Sequence, residues 1–265
     1  MVTLNALDAS FIHMESTRTP MHVGGLMVFK LPADAPPHYL SHFYDQLINT
    51  PIHQPPFNQC LAQGRFSRLR PKWKTCHKID ITYHVRHSAL PWPGGEKELG
   101  SLVARLHSNH MDMDRPLWEF HLIEGLENNR FAIYMKTHHA MIDGMGAMRL
   151  IKQWLSKAPE TIGALAPWGL DLARKKQRRA RQQPDKPPGV TQRLRQQLDA
   201  SGQLVSKLRQ MADPGLNPEG GVIDSLHTPK SLFNQTISPQ RRLATQLYDV
   251  QRFKRIQQHT GATVK

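Results

Sequence analysis

"RFAIYMKTHHAMIDGMGAMRLIKQWLS" (residues 130–156) decides the reading of this chain. Residues 130–139 form an apolar run with the look of a strand. Residues 147–156 space their apolar side chains as a helix does. Between them lies "KTHHAMIDGMG" (136–146), where a strand ends, a loop turns and a helix begins. Two adjacent histidines, His138 and His139, are followed by Asp143 and Gly144.

That order of residues suits proton transfer. A neutral imidazole titrates near working pH and can take a proton from a hydroxyl and return it. A strand end followed by a tight loop holds such a ring in one orientation. Asp143 either braces the turn or orients an imidazole, and the spacing leaves both open. Gly144 and Gly146 allow close approach of backbone and substrate. A metal site from His and Asp at i, i+4 is a second reading, but no third ligand stands at a fixed spacing, and fifteen histidines make chance pairs common. A packed, hydrogen-bonded loop is the third.

Outward from this stretch, residues 1–160 read as one mixed α/β unit. "HVGGLMVFKL" (22–31) is strand-like, with Gly24 and Gly25 marking a bulge or a close backbone approach. "YLSHFYDQLINT" (39–50) is helical, "YHVRHSAL" (83–90) alternates as a strand, and "EKELGSLVARLHSNHM" (96–111) is an amphipathic helix. "LWEFHLIEGL" (117–126) pairs with 130–139 across the turn "ENN". Residues 161–225 read as a basic, Pro/Arg-rich linker containing an amphipathic helix at 190–211. Residues 226–265 begin a further regular, incomplete domain.

The chain has 265 residues, 39% of them hydrophobic, with 20 prolines. That is length enough for a substantial core with long loops. The net charge of +14 is concentrated: residues 174–209 hold eleven Lys/Arg against two acids. Such a run is a solvated linker, a surface helix facing anionic lipid, or a phosphate-binding segment. No aromatic residue interleaves it and no nucleic-acid module accompanies it, so nucleic acid is not expected. Two cysteines, Cys60 and Cys76, argue against a disulfide framework and for a reducing compartment. The opening "MVTLNALDASFIHMES" lacks the apolar core of a secretory signal. No apolar run approaches the roughly 18 residues that span a bilayer.

At "HHAMIDG" (138–144) the chain resembles the HHxxxDG motif of the CoA-dependent acyltransferase superfamily. "PMHVGGL" (20–26), "DITYHVRHSALPWPGG" (80–95), "LVARLHS" (102–108), "RPLWEFHLIEGL" (115–126) and "HHAMIDGMGAMRL" (138–150) narrow the resemblance to the bacterial wax ester synthase/diacylglycerol acyltransferase family. "SLFNQTISPQRRLATQLYDV" (231–250) resembles the opening of that family's second half. The closing "TGATVK" resembles the lead-in to an Asn-Asp motif that this chain lacks.

The resemblance implies an α/β (α+β) fold, the chloramphenicol-acetyltransferase-like two-layer sandwich of a mixed sheet packed by helices. It implies transfer of a fatty acyl group from acyl-CoA to a long-chain alcohol or diacylglycerol, with no cofactor, no metal and no covalent acyl-enzyme. His139 is the expected general base, His138 its support, Asp143 the brace of the loop and Gly144 the residue that keeps the approach clear. Trp118, in the "PLW" of Pro116–Trp118, is either core or channel lining. Met145, Gly24 and Gly25 are further candidates for a substrate channel, and Arg241 and Arg242 for contact with the CoA phosphates. The expected partners are the C-terminal half of the same protein and an anionic membrane or lipid-droplet surface, with a cytoplasmic, peripherally bound location. A catalytically incomplete lipid-surface binding module and a condensation-domain-like acyltransferase are the alternatives.

Overall fold

The computed structural model of the chain describes residues 1–64, 67, 69–156, 166–170, 231, 232, 235, 237–246 and 248–262. The expected helix at 190–211 and nearly all of the 161–225 stretch lie outside them. The described residues belong almost entirely to one compact unit, Met1–Asp171 with Ser238–Lys265.

Its elements are β1 (Val2–Thr3), α1 (Ala6–Met14), β2 (His22–Lys30), α2 (Tyr39–Asn49), β3 (Gln59–Leu61), β4 (Lys72–Thr75) and α3 (Ile81–His84). There follow β5 (Val85–Ala89), α4 (Glu96–Ser108), β6 (Trp118–Leu126), β7 (Arg130–His138), α5 (Gly144–Trp154), a 3-10 turn at Pro167–Gly169 and α6 (Val250–Thr260). A four-stranded sheet runs β2-β7-β6-β5, and a small sheet runs β1-β4-β3. In the larger sheet β2/β7 and β7/β6 are antiparallel while β5 runs parallel to β6, so the sheet is mixed.

The β6–β7 hairpin turns through Asn128 and Asn129 at φ 61° and 55°. Asparagine is among the few non-glycine residues that tolerate this left-handed region. β7 is one of the two inner strands and is covered on both faces, which is why residues 131–138 are all buried. Leu99, Leu102 and Val103 of α4 pack on Ile123, Leu126, Ala132 and Tyr134 of one face. On the other face Phe120 meets Trp154 of α5 and Trp168 of the 3-10 turn, at 5.7 and 5.4 Å. A second core cluster joins Leu4, Leu61 and Trp73 to Leu117 and Ala140, with Phe11 and Met141 packed against it. This cluster brings α1 and the small sheet onto the histidine loop.

Three expectations are corrected. Cys60 and Cys76 are joined in a disulfide, because pairing of β3 with β4 sets Cys60 opposite Lys74 and brings the two Cα atoms to 6.0 Å. The 83–90 strand begins only at Val85, because Asp80 accepts from the Thr82 and Tyr83 N–H groups and caps a helical turn ahead of it. The glycine pair in β2 forms no bulge, since the β2/β7 register is continuous from His22↔His138 to Lys30↔Arg130. α1 was not foreseen; it is capped by Asn5, which accepts from Asp8 N–H, and it buries no residue fully.

Candidate active site

The histidine pair closes β7 and is pinned from both sides. His138 N–H donates to Leu117 O at 3.0 Å, and His139 N–H donates to Met21 O at 2.8 Å. The chain then turns tightly, with Met141 N–H donating to His138 O at 2.9 Å. Asp143 caps α5: its carboxylate accepts from Gly146 N–H, and its carbonyl accepts from Ala147 N–H at 2.8 Å. Asp143 is therefore engaged in bracing the turn. A Cβ on Gly146 would lie 2.8 Å from the Asp143 carboxylate, so the cap requires a glycine there. A Cβ on Gly144 would meet nothing within 4 Å.

The two rings have different surroundings. His138 is 1% exposed. Its Nδ1 accepts from Ala140 N–H at 3.1 Å, which puts the proton of the neutral ring on Nε2. Nε2 faces the Glu15 carboxylate at 3.5 Å, a charge contact rather than a tight hydrogen bond. Burial lowers the His138 pKa, with Glu15 opposing it and His139 adding to it. His139 is partly exposed and stacks on Phe11, the ring centroids 4.1 Å apart. Its Nδ1, like Nε2 of His138, is buried with no hydrogen-bond partner among the described residues. Asp8, on α1, feels the charges of both Asp143 and His139, and burial raises its pKa.

The remaining candidates are spread over the fold. Trp118 is 1% exposed, donates Nε1–H to Phe57 O at 2.9 Å and stacks with His84 and Trp168. Of its two readings, the core is the one these contacts match. Gly24 lies on the opposite face of the sheet, where a Cβ would come 2.5 Å from Tyr134 Oη; around Gly25 there is nothing within 4 Å. Met145 is 69% exposed at the start of α5. Gly24, Tyr134, His107, Arg241 and Arg242 share a cavity of about 170 Å³. Within it the Arg241 guanidinium is taken up by the carbonyls of Ser238, Gln240 and Arg18. Arg241 thus fastens the 238–246 segment to the body, and Arg242 is exposed.

Sequence reasoning missed α1 altogether, and with it Asp8, Phe11 and Glu15. The spacing 8, 11, 15 was the available signal, since it sets three side chains along one stripe of a helix. It also missed a buried ion pair: Lys136, 0% exposed, lies 3.2 Å from the Glu119 carboxylate, which is 3.1 Å from His121 Nε2. A cavity of about 580 Å³, lined by Ile12, Glu15, Leu61, Pro71, Met113 and Asp114 among others, went unforeseen too.

This strand-end histidine pair, with a capped turn and a mixed sheet behind it, lies in a chain with relatives among known proteins. Over residues 4–265 it matches the wax ester synthase/diacylglycerol acyltransferase catalytic domain, and the chain belongs to that family. It is 38% identical over 267 residues to a putative diacylglycerol O-acyltransferase of Mycobacterium tuberculosis, covering 100% of this chain and 57% of that protein. It is 36% identical to an O-acyltransferase, WSD, of Acinetobacter baylyi, covering 100% of this chain and 56% of that one. The solved wax ester synthase/diacylglycerol acyltransferase of Marinobacter aquaeolei superposes with a TM-score of 0.72 at 32% identity, over 99% of this chain and 56% of that structure. The chain thus spans a little over half the length of these relatives.

Proposed function

We propose that the whole protein transfers a fatty acyl group from acyl-CoA to the hydroxyl of a long-chain alcohol, of diacylglycerol, or of both. The observation that carries this reading is the contrast within the histidine pair. His138 is enclosed, with Nδ1 hydrogen-bonded and Nε2 facing the Glu15 charge, while the ring of His139 is partly open and held against Phe11. His139 is the general base. It takes the hydroxyl proton as the alcohol oxygen attacks the thioester carbonyl. The tetrahedral intermediate then collapses, the C–S bond breaks, and the CoA thiolate takes the proton. No acyl-enzyme forms. His138 and Asp143 position the loop, and the open space beside Gly144 admits the reacting groups.

The second half of such a protein would complete a channel over His139. Arg242, exposed beside the 238–246 segment, is the candidate for the CoA phosphates. Among the described residues no helix is long and apolar enough to cross a membrane. Access to lipid substrates is assigned to the basic segment at 174–209, resting on an anionic membrane or lipid-droplet surface.

The test is thiol release from palmitoyl-CoA plus hexadecanol by the whole protein, wild type against His139→Ala. Loss of a general base costs roughly 10²–10⁴-fold in rate. A loss of that size with folding intact by circular dichroism supports the reading. Equal rates remove His139 from catalysis. Alcohol-independent binding of acyl-CoA without release points to the binding-module alternative.

A further inference from the structure

We propose that Glu15 is the positioning residue of the histidine pair, its one carboxylate holding the His138 ring by charge from the Nε2 side and, through Met21, the backbone of His139. Only the activity arm of the test below rests on His139 being the base.

Glu15 follows the last turn of α1, where a helix presents its carbonyl ends. A carboxylate is electrostatically unfavourable there, and this one is largely enclosed, with 14% of the side chain exposed. Its neighbours account for the placement. Oε2 accepts from Met21 N–H and faces His138 Nε2 at 3.5 Å. Oε1 meets His110 Nδ1 at 3.3 Å, and His110 Nε2 reaches Thr17 O at 3.1 Å. The carbonyl of Met21 in turn accepts from His139 N–H at 2.8 Å. A single acidic group therefore touches one histidine ring directly and the other histidine through one residue.

The chemistry of the donors selects a carboxylate. Ala140 N–H occupies Nδ1 of His138, so the ring's proton sits on Nε2, 3.5 Å from the Glu15 carboxylate. Met21 offers a second donor to the same oxygen. A carboxylate is acceptor-only and accommodates both. A glutamine of the same shape would turn an NH₂ toward one oxygen's donors or the other's. Phe11 stands one helical turn before Glu15, so α1 sets both histidines from one face: Phe11 against His139 and Glu15 against His138. A displacement of the base on the order of 1 Å is enough to cost much of a rate.

The experiment uses ¹⁵N-histidine-labelled chain and long-range ¹H–¹⁵N NMR to read each ring's tautomer. In the wild type His138 is expected as the Nε2–H form, and Glu15→Gln is expected to shift and broaden the His138 ring resonances, because the ring is no longer held from its Nε2 side. In the whole protein Glu15→Gln is expected to lower kcat roughly 10–100-fold, as loss of a residue orienting a functional histidine does, with KM little changed. An Nδ1–H tautomer in the wild type overturns the proposal. So does Glu15→Gln with an unchanged His138 ring and unchanged kcat. If Glu15→Gln does not fold, Glu15→Asp, whose shorter stem withdraws both oxygens, takes its place with the same outcomes. The NMR arm needs no turnover: an inactive wild type would sink the acyltransferase reading and leave this one to stand or fall on the response of the His138 ring to Glu15→Gln.

Discussion

The imidazole of His139 lies face to face with the phenyl ring of Phe11, centroids 4.1 Å apart and planes within 19°. Nothing in HHxxxDG specifies this contact, because Phe11 comes from α1, more than a hundred residues earlier. The stack keeps water from one face of the ring and limits its rotation. Stacked aromatic pairs contribute about 0.5–1.5 kcal/mol beyond their buried area. Phe11→Ala is therefore expected to lower kcat for alcohol-dependent thiol release by about tenfold, while Phe11→Tyr retains most of it. Steady-state kinetics on the whole protein checks this, and equal kcat for wild type and Phe11→Ala would refute it.

The two glycines of β2 separate cleanly. A Cβ on Gly24 would come within 2.5–2.9 Å of three atoms of the Tyr134 side chain, and one on Gly25 would meet none of the described residues within 4 Å. The Tyr134 ring is itself held by its hydroxyl's 2.7 Å hydrogen bond with His107 Nδ1, so it does not yield freely. Gly24→Ala is expected to destabilise by about 1–3 kcal/mol, the usual range for overpacking. Gly25→Ala should be close to neutral. Urea unfolding of the two variants measures the difference.

A similar argument covers Lys136. Its ammonium has no exposure, donates to Leu106 O and Asn109 O at 3.0 Å, and pairs with Glu119 at 3.2 Å. Burial pushes the Lys136 pKa down against the pull of Glu119. Burial also pushes Glu119 upward, but His121 and Lys136 outweigh it and hold the carboxyl below its ordinary value. Lys136→Met leaves that carboxylate buried beside a single histidine, and breaking such a pair costs about 3–5 kcal/mol. Adding Glu119→Gln should recover a large part of the loss. A double-mutant cycle by denaturant unfolding tests this, and additive single losses would argue against the pairing.

The main sheet was legible because its strands carry dense apolar runs and its hairpin turn carries two asparagines. The histidine loop was legible because a motif fixes it locally. What escaped depended on contacts distant in sequence. α1 lacks a continuous apolar stripe, since its Asp8 and Phe11 serve the histidine loop rather than a core of its own. Lys136 reads as a polar break in a strand, and only the fold shows that it ends at the carbonyls closing α4. The Cys60–Cys76 bond was missed because two cysteines sixteen residues apart say nothing of the β3/β4 pairing that joins them. Arg241 and Arg242 looked equivalent, yet the fold engages the first with carbonyls and leaves the second exposed.

Buried histidines also fix how the fold responds to acid. His22 stands opposite His138 in the β2/β7 register, with its Nε2 bonded to His107 O at 2.7 Å and its Nδ1 buried without a partner among the described residues. Burial lowers its pKa from 6.5 to about 4, more than the His107 carbonyl and Glu15 raise it, while Lys136 and His107 add to the lowering. The unfolded chain takes up this proton below about pH 6.5, and the folded chain only below about 4. Stability from the neutral ring is thus complete above pH 6.5 and drains away as pH falls toward 4. A shift of this size corresponds to about 3 kcal/mol. His84, His107 and His138 are lowered too, so they act in the same direction. His22→Gln removes one of these proton acceptors. Its unfolding free energy should therefore fall less steeply than the wild type's between about pH 6.5 and 4, whatever its value at neutral pH. Urea titrations across that range compare the two slopes, and parallel curves would mean that His22 is protonated in the folded protein as readily as in the unfolded one.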